Sequence, residues 1–115
     1  MLEMDTQSYQ KDLVICFEVA EHIDPQYADQ IVKSVIGCMQ PDGLLLWTAA
    51  QPGQGGVGHI NCRPRQYWVD KFTQSGLIIE NNIKEDCLEF CRQGYHMGWF
   101  LSNLICFRKP ADNPE

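Results

Sequence analysis

The stretch from Asp12 to Ile23, Asp-Leu-Val-Ile-Cys-Phe-Glu-Val-Ala-Glu-His-Ile, constrains this chain more than any other. Leu13 to Phe17 is an unbroken apolar run of strand length, too short for a buried helix. A run that is apolar at every position reads as a strand covered on both faces, the kind found in parallel α/β sheets. It ends abruptly in Glu18, Glu21 and His22. In open α/β sheets, chemistry gathers at the carboxyl ends of strands, which is where these three polar groups fall.

The segments that follow extend the pattern. Asp24-Pro25 reads as a helix start, with Asp24 as the cap and Pro25 in the first turn. Ala28, Ile31, Val32, Val35, Ile36 and Met39 recur at three-four spacing and predict one helical stripe facing a sheet. Pro41-Asp42-Gly43 is a turn signal before a second apolar strand, Leu44 to Ala49. Strand, helix and strand in this order predict a parallel pair joined by a crossover. A glycine-rich loop from Gln51 to His59 comes next. A helix over Pro64 to Ser75 is stopped by Gly76, with Tyr67, Trp68 and Phe72 on its inner face. A third strand spans Leu77 to Ile79, with an extension to Ile83 left open. Glu85 to Gly94 is weakly helical. Asn103 to Arg108 is the last strand, antiparallel to the third as a hairpin-like closure. Tyr95, His96, Trp99 and Phe100 form an aromatic cluster that covers one sheet face. Residues 1–11 are a polar lead-in and residues 110–115 a fraying tail. The 115 residues make one domain.

Charge and cysteine usage narrow the function classes. A net charge of −6 argues against a general grip on nucleic-acid phosphates. A local basic patch remains open, for which Arg63, Arg65, Lys71, Arg92, Arg108 and Lys109 are the candidates. No apolar run reaches the roughly 20 residues that span a bilayer, and Met1 to Lys11 lacks the apolar core of a signal peptide. Six cysteines sit in strand-like or helical settings and read as reduced thiols of a cytoplasmic protein. Cys87 and Cys91 share a helix face, but no second pair stands at zinc-site spacing.

The Asp12–Ile23 segment resembles the post-strand motif of class I S-adenosylmethionine-dependent methyltransferases, which reads roughly D-L-V-x-x-x-E-V-x-E-H-I. Pro41-Asp42-Gly43 and the apolar strand after it fit the same family. The resemblance covers Asp12 to about Lys109 and corresponds to the second half of the family domain. It implies a truncated Rossmann-like methyltransferase fold: a mostly parallel sheet of about four strands, flanked by helices, with an antiparallel last strand. It implies S-adenosyl-L-methionine as cofactor and a methyl acceptor that is a small molecule.

By position in that family, Cys16, Phe17 and Glu18 lie beside the methionine part of the cofactor, and Asp5 stands nearest to the place of the adenine-contacting acid. Two families resembling this stretch, ubiquinone-pathway O-methyltransferases and the 2′-O-methyltransferases of small-RNA 3′ ends, bind a divalent ion through such a Glu-Glu-His triplet. The resemblance thus makes Glu18, Glu21 and His22 candidate ligands for Mg²⁺ or Mn²⁺, a role that hard oxygens plus one imidazole suit. The alternative is that these side chains fix the strand–helix corner by hydrogen bonds. His59 is a candidate fourth ligand or base, and Glu21 shares the catalytic role with it. His59, Asn61 and Arg63 are polar groups that can face a substrate. The string Gly53 to Gly58 lacks the full spacing of a dinucleotide fingerprint and reads as a flexible loop over the pocket.

The family's glycine-rich cofactor loop belongs upstream of the motif, and only Met1 to Lys11 precede it here. The expectation is therefore that cofactor binding needs a partner or an upstream segment. The Leu13–Phe17 strand should present an unpaired edge, to be filled by a second copy or by a complementing first half. Three readings stay open: a methyltransferase completed by other sequence, a non-catalytic interaction module, or a metal-dependent enzyme built on Glu18, Glu21, His22 and His59.

Overall fold

The computed structural model describes residues 10–92 and 98–111. Four strands form one sheet: β1 (Lys11–Phe17), β2 (Met39–Thr48), β3 (Ile78–Ile79) and β4 (Ile105–Arg108). Their spatial order is β1-β2-β4-β3. β1 and β2 run parallel, whereas β4 lies antiparallel to both β2 and β3. Three strands therefore point one way and the last points back, as the α/β reading expects.

Asp24 caps the chain's entry into the first helix by accepting the amide of Gln26 at 3.0 Å. A 3-10 turn over Pro25–Tyr27 leads into α1 (Ala28–Gly37), which buries Ala28, Ile31 and Val32. α2 (Arg65–Gln74) buries Trp68, Val69 and Phe72. Together these helices cover one sheet face, where Trp47 packs on Trp68 and Phe72, and Phe72 on Phe107. Val14 and Cys16 point to that covered face. α3 (Asn81–Arg92) and α4 (Gly98–Asn103) complete the described elements. Phe100 of α4 meets Phe17 edge-on at 5.0 Å, on the side of β1 opposite Val14 and Cys16.

Several boundaries move. The Pro41-Asp42-Gly43 turn does not precede β2 but sits within it, as a bulge where Asp42 takes φ 65° and the β1–β2 register slips. The third strand stops at Ile79, because Asn81 already opens α3; neither the extension to Ile83 nor a helix beginning only at Glu85 holds. The end of that expected helix at Gly94 lies outside the described residues, as do Tyr95 and His96. The last strand begins at Ile105, since Asn103 closes α4. β4 is also no simple hairpin return: two helices intervene, and it inserts between β2 and β3.

The candidate basic patch is dispersed. Arg108 bridges Asp42 and Glu80 at 3.2 and 3.0 Å, and Lys71 pairs with Asp29. None of the described helices is long and apolar enough to cross a membrane. Cys16, Cys38, Cys62 and Cys106 are not in disulfides. Burial pushes the Cys16 thiol up to about 11, with the Glu21 charge adding to it. At pH 8 about one Cys16 in a thousand is then thiolate. Thiol-disulfide reagents should modify Cys16 far more slowly than a free cysteine, and titration of native protein with Ellman's reagent checks this.

Candidate functional site at the carboxyl ends of β1 and β2

β1 ends with a sharp change of direction. Glu18 takes φ 54°, a conformation unfavourable for a side-chain-bearing residue, and its amide donates to both the carbonyl and the hydroxyl of Thr48 at 3.0 Å. The chain then coils into a 3-10 turn over Ala20–His22. This turn aims Glu21 inward, where its residue is 0 % exposed. Glu21 Oε2 accepts the Ala50 amide at 2.6 Å, while Oε1 is buried without a hydrogen-bond partner and lies 3.6 Å from His22 Nε2.

The loop after β2 closes over this turn. The carbonyl of Glu21 accepts the amides of Ile60 and Asn61 at 2.9 and 3.0 Å. His22 Nδ1 stands 3.0 Å from the Gly58 carbonyl, and His59 Nδ1 stands 3.4 Å from the Gln54 carbonyl. A carbonyl only accepts, so each contact places a hydrogen on Nδ1 and makes Nε2 the nitrogen that faces the rest of the site. The two rings meet edge to face at 4.7 Å. One ligand atom each from Glu21, His22 and His59 falls within 4.8 Å of the others. A buried carboxylate oxygen and two more exposed imidazole nitrogens converge here, an arrangement that a shared proton or a cation would join. That donor set fits a divalent ion.

Glycine is required here by geometry. Gly58 has φ 76°, and a Cβ on it would lie 3.3 Å from His22 Nδ1; one on Gly56 would lie 2.4 Å from the His59 ring. Gly58→Ala should cost about 1 kcal/mol from backbone strain and displace His22, which the imidazole NMR signals of that residue would report.

Glu18 stands beside this cluster rather than in it. Burial, then the Glu21 charge, raise its carboxyl above the ordinary glutamate range. Its Oε1 has a long contact of 3.5 Å with Asn103 Nδ2, and Oε2 is buried without a partner. Because the folded carboxyl holds its proton to higher pH than the unfolded one, this group loses stability for the fold as pH rises past its ordinary value. Glu18→Gln should therefore melt higher than the native chain at pH 7. The gap should close as pH falls toward the ordinary glutamate range, a trend that thermal melts across pH would register.

The remaining candidates separate. Asn61 is buried, and its Oδ1 accepts Arg63 Nε at 2.7 Å while the Arg63 guanidinium lies over the Tyr67 ring at 5.2 Å. Asn61 and Arg63 thus bind each other at the loop's base. Cys16 packs on the face covered by the helices, within reach of the Glu21 charge, and Phe17 lies on the opposite side. Asp5 lies outside the described residues. Asn103 was not singled out by sequence. It is buried at the end of α4, accepting from Gln51 Nε2 at 3.0 Å and donating to Gln54 Oε1 at 2.9 Å, so it ties the loop to Glu18's neighbourhood. No sequence signal marks it, because an Asn before an apolar strand usually reads as a turn.

No family model matches the chain, and no curated protein matches it. Among solved structures it is similar to the crystal structure of the [4+2]-cyclase SpnF, with a TM-score of 0.56 and 13 % identity. The match covers 90 % of this chain and 51 % of that one, so the chain spans about half the length of the neighbour. What the similarity defines is the class of fold: a methyltransferase-like α/β domain.

Proposed function

We propose that the chain is the acceptor-side part of an S-adenosylmethionine-dependent methyltransferase, acting in the cytoplasm on a small-molecule acceptor. The fold class and the Asp12–Ile23 segment support methyl transfer, and the four cysteines outside disulfides suit a reducing compartment. The observation that carries the site is the buried, unpartnered Glu21 Oε1 facing His22 Nε2, with His59 beside them.

When bound, S-adenosylmethionine supplies an electrophilic sulfonium methyl, and Mg²⁺ or Mn²⁺ makes an acceptor hydroxyl more acidic. Glu21, His22 and His59 would hold the ion, and Glu18, with its unfilled Oε2, borders the cofactor side together with Phe17. With Nδ1 on the Gln54 carbonyl, His59 would offer Nε2 to the ion and so serve as a ligand rather than as a base, while Glu21 anchors the corner through Ala50. Ile60 and Asn61, directly after the Gln51–His59 loop, dock on the Glu21 carbonyl and hold the loop beside that corner. In-line positioning supplies most of the rate in such a displacement, so these residues act mainly by orientation.

Calorimetric titration with Mn²⁺ tests the metal part. His59→Ala, on a partly exposed loop, should weaken binding at least about tenfold while leaving the melting temperature of metal-free protein unchanged, since a ligand rather than a core residue is lost. Equal Mn²⁺ affinity in both proteins would refute the assignment.

A further inference from the structure

The glycine-rich loop that carries His59 is clamped at both ends. At its far end the amides of Ile60 and Asn61 donate to the Glu21 carbonyl. At its near end the clamp is a single side chain, Asn103, which is 2 % exposed. Asn103 Oδ1 accepts Gln51 Nε2 at 3.0 Å and Gln54 Nε2 at 3.2 Å. Its Nδ2 donates to Gln54 Oε1 at 2.9 Å and stands 3.5 Å from Glu18 Oε1. Asn103 and Gln54 thus face each other as a closed pair of amides, and Gln54 Oε1 also accepts the Gln51 amide at 2.9 Å. A side-chain amide has two donor hydrogens and two acceptor lone pairs, and all four of Asn103 are engaged. Turned over, the same amide would set oxygen against oxygen at Gln54 and at Glu18, so its surroundings fix its orientation. Between the clamps Gly55 to Gly58 are exposed, so little burial holds the loop there.

We propose that Asn103 is the residue that positions His59. By holding the Gln54 side chain it fixes the Gln54 carbonyl, which stands 3.4 Å from His59 Nδ1 and so sets the direction in which Nε2 enters the site. Asn103 therefore acts through Gln54, as a positioning residue and not as a ligand. Its own place is rigid. It closes α4, and the next two residues, Leu104 and Ile105, are 0 and 1 % exposed where β4 enters the sheet between β2 and β4's other neighbour, β3. A buried amide fixed to the sheet holds a loop more precisely than another loop residue could. An imidazole offers its free nitrogen to an ion in one ring orientation only, and the partner of its other nitrogen selects that orientation. The contact with Glu18 ties the same amide to the end of β1, so the loop and the β1 corner keep one register. The part of the inference that concerns ion affinity rests on reading Glu21, His22 and His59 as an ion site. The orientation of the His59 ring does not depend on that reading.

The test uses the full chain with two variants, Asn103→Asp and Gln54→Ala. Asn103→Asp keeps the shape but replaces the donor with an oxygen, which then faces Gln54 Oε1 and Glu18 Oε1. Gln54→Ala removes the partner from a half-buried loop position while keeping the carbonyl that faces His59, so the test survives a failure of the buried Asn103 variant to fold. The first readout is the imidazole nitrogen NMR signals of His59 in metal-free protein, at a pH where free imidazoles are neutral. They should report hydrogen on Nδ1 in the native chain and move toward the mixed tautomers of an unrestrained histidine in both variants. The second is calorimetric titration with Mn²⁺, in which both variants should bind about tenfold more weakly than the native chain. His59 signals that stay native in Gln54→Ala would overturn the inference, and a lowered melting temperature in Asn103→Asp would then mark a merely structural role. Native Mn²⁺ affinity in both variants would overturn it as well. A native chain with no affinity for Mn²⁺ would refute the ion site instead, and the His59 signals would still decide whether Asn103 positions the ring.

Discussion

Replacing Trp47 with alanine should cost about 3–5 kcal/mol of folding free energy, the range for removing a large buried aromatic. Trp47 is fully buried on β2 and packs on α2 through Trp68 at 5.2 Å and Phe72 at 4.8 Å. Its loss opens a cavity that neither α2 nor the sheet can fill without breaking the Phe72–Phe107 contact. At about 4 °C per kcal/mol for a domain of this length, the melting temperature should fall by roughly 12–20 °C. Since small domains hold only about 5–15 kcal/mol in total, the variant should be close to unfolded at 37 °C. Val57→Ser, at a loop position 98 % exposed, should stay within about 0.5 kcal/mol of the native chain. Differential scanning calorimetry of the two variants provides the comparison, and similar melting points would contradict this account of the core.

The second large effect is expected at Glu21, and its size depends on what the site holds. Glu21→Ala strips the buried Ala50 amide of its acceptor, which by itself costs about 1–3 kcal/mol. It also removes a charge that raises the Glu18 carboxyl, which offsets part of that cost. With a chelator present the two effects work against each other and the net loss should be small. With Mn²⁺ in large excess the native chain gains linkage stability that Glu21→Ala cannot, about 2.7 kcal/mol at a hundred times the dissociation constant. Melting both proteins with EDTA and with Mn²⁺ separates these terms. A gap that does not widen with Mn²⁺ would remove Glu21 from the ligand set and return it to a purely structural role.

Much of the fold was legible because its signals were local. The apolar run at Leu44–Ala49, the Asp24-Pro25 start and the Trp68/Phe72 stripe report local structure directly in residue type. The Leu13–Phe17 run, by contrast, marks a strand that is covered on one face only, with Val14 and Cys16 on the core and Leu13, Ile15 and Phe17 exposed. The boundaries that moved were set by tertiary pairing. Asp42 could be read as a turn residue, but β1 and β4 hold the whole Met39–Thr48 segment in the sheet around its positive φ. Ile83 looked like strand because its apolar character is equally suited to a helix face, and α3 claims it. The insertion of β4 between β2 and β3 could not be read from order along the chain alone.

At the site, the Glu18, Glu21 and His22 triplet was legible as a spacing, but its division was not. The φ of 54° at Glu18 and the 3-10 turn after it send Glu21 and His22 toward His59, leaving Glu18 to one side with Thr48 and Asn103. The contribution of backbone carbonyls at Gly58 and Gln54, which orient the two imidazoles, has no residue-type signature. Asn103 is distant in sequence from everything it touches, so only the folded chain reveals it.

The most direct measurement of the central claim is NMR titration of isotope-labelled chain with S-adenosylhomocysteine in the presence of Mg²⁺. The account predicts saturable shifts confined to the amides of Phe17–Ile23 and of residues 49–61, with affinity as weak as about 1 mM, some 4 kcal/mol, because only part of the site is supplied. Glu18→Ala should reduce them. Shifts absent at several millimolar ligand, or centred away from the ends of β1 and β2, would contradict a methyl-transfer role for this site.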